Sequence, residues 1–303
     1  MTPTQPDGPG PKDWLSILAL GVIWGSSFLS AKIALDGLGP LTLAAARVTL
    51  GGLILLLVMR IGGQVLPSGR RALAAVASFA VFSHALPFFL LNWAQQTVPS
   101  SFAGVSMAAV PLFVLPLAVL LVPGERFGWI KLLGLVLGFL GVVILIGPDK
   151  VLSGPDAALP RLACVAAALC YAIGGITTRL APPMDQIGFS AAALTGAAIL
   201  TIPGALLIEG PPALPDTRTL AATIYLAAGP TAIAALILVR TVRAAGPTFL
   251  SLVNYMVPVW AIVLGAIILS EPLPGSFLIA GALILTGVAL SQWNALRRLW
   301  TTP

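Results

Sequence analysis

A chain of 303 residues that is 58% hydrophobic and only 9% charged, with a mean hydropathy of +1.02, cannot be a water-soluble globular domain, since such domains carry about a quarter charged residues. Lipid must be part of its solvent, and each helix then needs roughly 20 apolar residues to cross. The net charge of +6 and the pI near 9.9 are read by position, because a Lys/Arg excess in a membrane protein reports orientation before it reports an acidic partner.

Uncharged apolar windows fall at 13–34, 41–61, 72–95, 99–121, 127–147, 160–180, 187–208, 219–242, 247–269 and 274–294. They read as ten transmembrane helices, since a barrel would show short alternating strands. Residues 1–12 are rich in Pro and Gly with one Lys, and the run after Trp14 is span-length without a small-residue cleavage site, so no removable signal is expected. The joints are short and built from breakers, such as Gly39-Pro40, Pro67-Ser68-Gly69, Pro123-Gly124, Gly154-Pro155 and Pro211-Pro212. None is long enough for a soluble domain, so function is expected inside the membrane. Lys12, Arg60, Arg70, Arg71, Arg126, Lys131, Arg179, Arg240, Arg243, Arg297 and Arg298 gather on one side, and only Lys32, Lys150, Arg161 and Arg218 on the other. The bias places both termini in the cytoplasm. Cys164 and Cys170 read as core fillers.

The chain repeats itself. Pro111, Glu125, Gly134 and Gly141 return as Pro258, Glu271, Gly281 and Gly287, and Trp24 and Lys32 return as Tyr171 and Arg179, at offsets of 146 or 147. A period near half the length marks duplication of a whole unit. The expected organisation is a cytoplasmic N-terminal tail over 1–12, a five-helix repeat over 13–147, a linker over 148–159, a second repeat over 160–294 and a cytoplasmic C-terminal tail over 295–303. Five crossings per unit is odd, so the second copy enters from the opposite side. Inverted repeats of this kind recur in secondary transporters, whose sites lie near the midplane between the repeats.

Candidate site residues sit near the middles of their spans. Pro111 and Pro258 each free the carbonyl four residues back, at Met107 and Asn254. Thr248, Ser251, Asn254 and Pro258 share a face with Tyr255 beside it, readable either as a packing face or as a cavity wall. His84 is the only histidine, between Ser83 and Pro87. Its mate is Thr231, next to Gly229-Pro230, another expected helix break. His84 either lines the pathway or rests as a neutral imidazole on a freed carbonyl. Trp24, close to Ser26, Ser27 and Ser30, pairs by symmetry with Tyr171, close to Gly174, Gly175 and Thr177, as ligand-stacking rings or as core aromatics. Asn92, Trp93, Gln95 and Gln96 close the third span as site or interfacial belt. Arg47, about two turns into span two, is open to snorkelling, pairing with Asp36 or meeting a substrate carboxylate, and is read as structural. The expected binding set is Trp24, Ser27, His84, Asn92, Tyr171, Asn254 and Tyr255, with Pro87, Pro111, Pro230 and Pro258 as helix breaks.

No Asp or Glu lies within a span away from its ends. That disfavours a proton-driven carrier of cations, which needs an intramembrane carboxylate. One His and two Cys build no HExxH, CxxC or Ser-His-Asp set, and no GxxxxGK[ST] loop is present. Neither an enzyme nor a metal or other cofactor is expected.

The first-span WGSSFLSAKIAL (24–35), the second-span AAARVTLGGLILLL (44–57) and the two P…E…G…GV units resemble the drug/metabolite transporter superfamily, in its ten-span EamA-type branch. Within the branch the chain is most similar to YddG-type exporters of aromatic and other neutral amino acids. The resemblance implies an all-α basket in which spans 1, 3, 4, 6, 8 and 9 surround a central cavity and spans 5 and 10 brace it. It would put Trp24, His84, Tyr171, Asn254 and Tyr255 on cavity-lining spans. Unlike small four-span relatives, the chain has no carboxylate within span one. The expectation is a bacterial inner-membrane exporter of small polar metabolites, with neutral or aromatic amino acids first. It would act by alternating access, as a monomer, with membrane lipid and a small molecule as partners and no nucleic acid. The alternatives are a nucleotide-sugar or drug carrier of the same superfamily, an embedded transferase and a non-transporting scaffold.

Overall fold

The computed structural model describes residues 10–122, 128–149 and 153–293. Glu125, the Pro123-Gly124 joint, Arg126, Lys150, Arg297, Arg298, most of the two expected tails and the side chain of Thr248 lie outside the described residues. Ten long helices follow one another: α1 (Pro11–Ala34), α2 (Pro40–Ile61), α3 (Arg70–Gln95), α4 (Ser100–Leu121), α5 (Trp129–Ile146), α6 (Pro155–Leu180), α7 (Gln186–Ile208), α8 (Thr217–Gly246), α9 (Val253–Leu269) and α10 (Gly275–Ser291). No strand occurs among the described residues. The first eight are long and apolar enough to span a bilayer, and the last two are apolar helices of 17 residues.

Helix starts follow local chemistry. Pro opens α1, α2 and α6 in the first turn, where its missing N–H costs nothing. α6 begins at Pro155, five residues before the expected 160, because Gly154 at φ 111° turns the chain and Asp156 sits favourably in the first turn. Asp185 and Asp216 cap α7 and α8 through their own side chains. Gly246, at φ 83° and ψ 165°, breaks the helical path after α8, which is why α9 is short.

The apolar pattern is inverted relative to a soluble protein. Leu53, Val136, Leu207 and Ile267 are all more than half exposed, while the interior is rich in Ala, Gly and small polar residues. Small residues let helices approach without a water-driven core. α5 and α10 are the closest case: a Cβ on Gly287 would lie 2.5 Å from both the Gly134 carbonyl oxygen and the Gly138 nitrogen. α2 packs along α7, and α9 crosses both α1 and α4. At these crossings Gly52 faces Leu194, Gly25 faces Trp260 and Gly104 faces Ala261.

Charged side chains tie helix ends together, Glu209 and Glu271 across the two halves and Lys32 within the first. The Glu209 carboxylate accepts hydrogen bonds from the amides of Leu41 and Thr42 (both 2.9 Å) and from the Thr42 hydroxyl (2.7 Å). Glu271 accepts from the amides of Ser100 (2.6 Å) and Ser101 (2.9 Å). Each therefore caps a first-half helix whose own N-cap, Gly39 or Pro99, has no side chain able to do so. The Lys32 ammonium donates to the carbonyls of Gln95, Gln96 and Val98, closing the C-terminus of α3.

Candidate functional site

The middles of α3 and α8 are not α-helical. Ala80–Ala85 and Ala227–Ile233 form π-helical turns, and their first residues are 147 apart, the offset of the sequence repeat. Such turns widen a helix and concentrate at functional sites. A proline accounts for each. Pro87 sits just past the first turn, and Pro230 lies inside the second, each withholding an N–H from the helix ladder. In α8 the repair is visible: the carbonyl of Leu226, four residues before Pro230, accepts the Thr231 hydroxyl at 2.9 Å. The Pro230 carbonyl in turn accepts the indole N–H of Trp24 at 3.1 Å. Trp24 thus joins α1 to the irregular turn of α8.

Thr231 has a second partner, which organises the region. Its oxygen accepts the Nε–H of Arg47 at 2.9 Å. The Arg47 guanidinium carbon lies 3.9 Å from the centroid of the Phe88 ring, a cation–π stack. His84 meets the same ring at 5.6 Å and meets Phe79 edge-on at 5.2 Å. Both nitrogens of His84 are buried and have no partner among the described residues. Tyr171 and His84 lie within electrostatic range of Arg47. Arg47 therefore neither snorkels to a surface nor pairs with Asp36, which faces Arg218 at 4.0 Å instead.

The expected binding residues divide into three groups. Trp24, His84 and Tyr171 gather around Arg47 and the two π turns. Tyr255 and Trp24 pack against the same apolar cluster, as do the neighbouring Met256 and Met107, and the Tyr255 hydroxyl is buried without a partner; half-buried Asn254 adjoins it on α9. Ser27 and Asn92 are committed to the backbone. The Ser27 hydroxyl donates to the Trp24 carbonyl (2.6 Å), and the Asn92 amide donates to the carbonyl of Pro40 (3.0 Å). Among the other expected breaks, Pro111 follows a 3₁₀ turn over Met107–Ala109 in α4, and Pro258 lies within α9.

Two seams close on these turns. α3 meets α6 where Ser83 fills the place of a side chain at Gly174, and Ser78 and Thr177 share a hydrogen bond at 3.0 Å. α8 meets α1 at Trp24 and Pro230, and Tyr225 and Ser26 share one at 2.6 Å. A cavity of about 420 Å³ opens beside Thr177, bounded by Arg71, Ala74, Leu180 and Pro182. It lies toward the start of α3, where alanines leave room between helices, and none of the expected midplane residues borders it.

The sequence marks Arg47 as a lone mid-span charge with no mate in the repeat, and the structure gives it Thr231 and Phe88 as neighbours. Sequence reasoning missed the π turns as such. The recurrence of a proline break near His84 and near Thr231 was their trace.

The model of the EamA-like transporter family matches residues 13–147 and again 160–293. The uncharacterized inner membrane transporter YedA of Escherichia coli K12 is 27% identical over 82% of this chain and 80% of its own. A protein named "Probable terminal-alkyne amino-acid exporter" from Streptantibioticus cattleyicolor is 27% identical over 96% and 97%. Protein PecM of Dickeya dadantii is 25% identical over 89% of both chains. A solved crystal structure, 22% identical, superposes with a TM-score of 0.68 over 94% of this chain and 99% of that one, a likeness of fold.

Proposed function

This chain belongs to the EamA-like transporter family, a family of carriers rather than enzymes, and from that premise we propose that it exports neutral and aromatic amino acids across the bacterial inner membrane. Membership itself establishes a membrane transporter of small molecules in the drug/metabolite superfamily. The observation that carries the finer reading is the cluster at the two π turns. There the rings of Trp24, Phe88 and Tyr171, the hydroxyl of Thr231 and one guanidinium converge at mid-depth. Rings, a hydroxyl and a single cation suit a small carboxylate with an apolar side chain. The exporter named for amino acids, alignable over almost its whole length, supports the same reading.

In this scheme Trp24, His84, Tyr171, Asn254 and Tyr255 border the substrate, and Ser27 and Asn92 hold the helices that carry them. The π turns of α3 and α8 are the points at which the helices yield as access alternates, with the carrier working as a monomer whose termini are cytoplasmic. A nucleotide-sugar carrier needs several cations for the diphosphate, and Arg47 stands alone at this depth. Counterflow in liposomes with the purified protein tests the proposal. Labelled phenylalanine or leucine is expected to exchange faster than in empty liposomes, and UDP-sugars are not. Exchange of UDP-sugars alone would transfer the assignment to that class.

A further inference from the structure

Arg47 is a cation without a counter-ion. Its helix is held at the chain's interior by α7 and by the α8 turn, and its Nε–H is spent on Thr231. The guanidinium cannot lose its proton at any physiological pH. Yet every Asp and Glu among the described residues lies at a helix end or outside the helices, and the groups around Arg47 are Thr231, Phe88, His84 and Tyr171. The terminal nitrogens, with four N–H donors in a planar fork, bond to no protein atom among the described residues. Arg47 is part-buried and its terminal nitrogens are not enclosed by protein, so the fork is open to an anion, which a partly desolvated cation favours.

Two further observations narrow that anion. The fork is backed by the Phe88 ring, which fixes its plane, and a fixed planar fork matches the two oxygens of one carboxylate. His84 beside it has two buried, unpartnered nitrogens, so a polar group is wanted there as well. Among the described residues no acidic side chain lies beside Arg47 to receive an ammonium. We propose that Arg47 is the carboxylate anchor of the transport site, and that the carrier recognises its substrate by the carboxylate and not by the amine. The substrate class is then the monocarboxylates with an apolar or aromatic side chain. Amino acids belong to it, and so do their 2-hydroxy, 2-oxo and N-acyl counterparts.

This rests on the carrier reading above, and the test separates the two. In proteoliposomes exchanging labelled phenylalanine, unlabelled phenylalanine and 3-phenyllactate are expected to compete within about threefold of each other, and phenylalaninamide at least tenfold more weakly. Arg47→Lys keeps the charge without the fork and is expected to raise the KM about tenfold. Arg47→Met is expected to abolish exchange while the protein still elutes as a monodisperse peak. If phenylalaninamide competes as well as phenylalanine, or if Arg47→Met exchanges with an unchanged KM, the anchor is wrong and the carrier stands. If no amino acid or carboxylate exchanges at all, the carrier reading falls and the anchor with it. Should Arg47→Met not fold, the acid-against-amide comparison in the unaltered protein decides alone.

Discussion

The α5–α10 pair and the middles of α3 and α8 are built on opposite principles. In the first, glycines bring main chain against main chain, with Gly287 touching Gly134 and Gly138. In the second, prolines accompany π turns; in α8 the Thr231 hydroxyl bonds the freed Leu226 carbonyl, and Trp24 of α1 and Arg47 of α2 donate to Pro230 and Thr231. Close packing of small residues is stiff, because it has no side chain to rearrange. A π turn held by hydroxyl, indole and guanidinium groups has alternatives available to it. On the proposed function, α5 and α10 serve as the brace, and α3 and α8 as the place where the bundle gives way.

The largest effect is expected at the brace. Gly287→Val sets a branched side chain against main-chain atoms that cannot step aside, and is expected to cost about 3 kcal/mol, read as early thermal unfolding in detergent micelles. Unfolding at the parent temperature would show that the two helices are not in backbone contact. Next, Thr231→Val keeps the shape and removes the oxygen shared by Leu226 and Arg47, for an expected loss of about 1–2 kcal/mol. In an Arg47→Met background the same change is expected to cost less, and strict additivity would mean that the two residues are not coupled. Tyr225→Phe removes the bond to Ser26 across the α8–α1 seam and is expected to cost only about 0.6 kcal/mol.

The smallest expected effect lies outside the membrane and depends on pH. Burial tends to raise the Glu271 carboxyl, but hydrogen bonds from Ser101 and Ser100 outweigh it and hold the group below its ordinary range. A carboxyl depressed in the folded state stabilises fully above its unfolded pKa of about 4.3, and loses that contribution as the pH falls through its folded value. Glu271→Gln is therefore expected to lower stability by about 0.5 kcal/mol at pH 7, with the difference from the parent shrinking below about pH 4. A difference constant from pH 7 to pH 3 would exclude the cap as its source.

Much of the architecture was legible in the chain because lipid imposes so strong a rule: every crossing must be apolar, long and helical. Ten spans and their breakers follow from that, the offset of 147 residues marks duplication, and the repeat pointed to proline breaks near His84 and Thr231. The pattern could not show that Asn92 bonds the Pro40 carbonyl. Nor could it choose among three fates for Arg47. What the sequence determined was where the chain turns, how often it crosses and that its halves share an origin, since these depend on local composition and on the solvent. The distant partners of polar side chains were decided by tertiary structure alone. Arg47 finds Thr231 184 residues away, and a contact so distant in the chain exists only once the helices have packed.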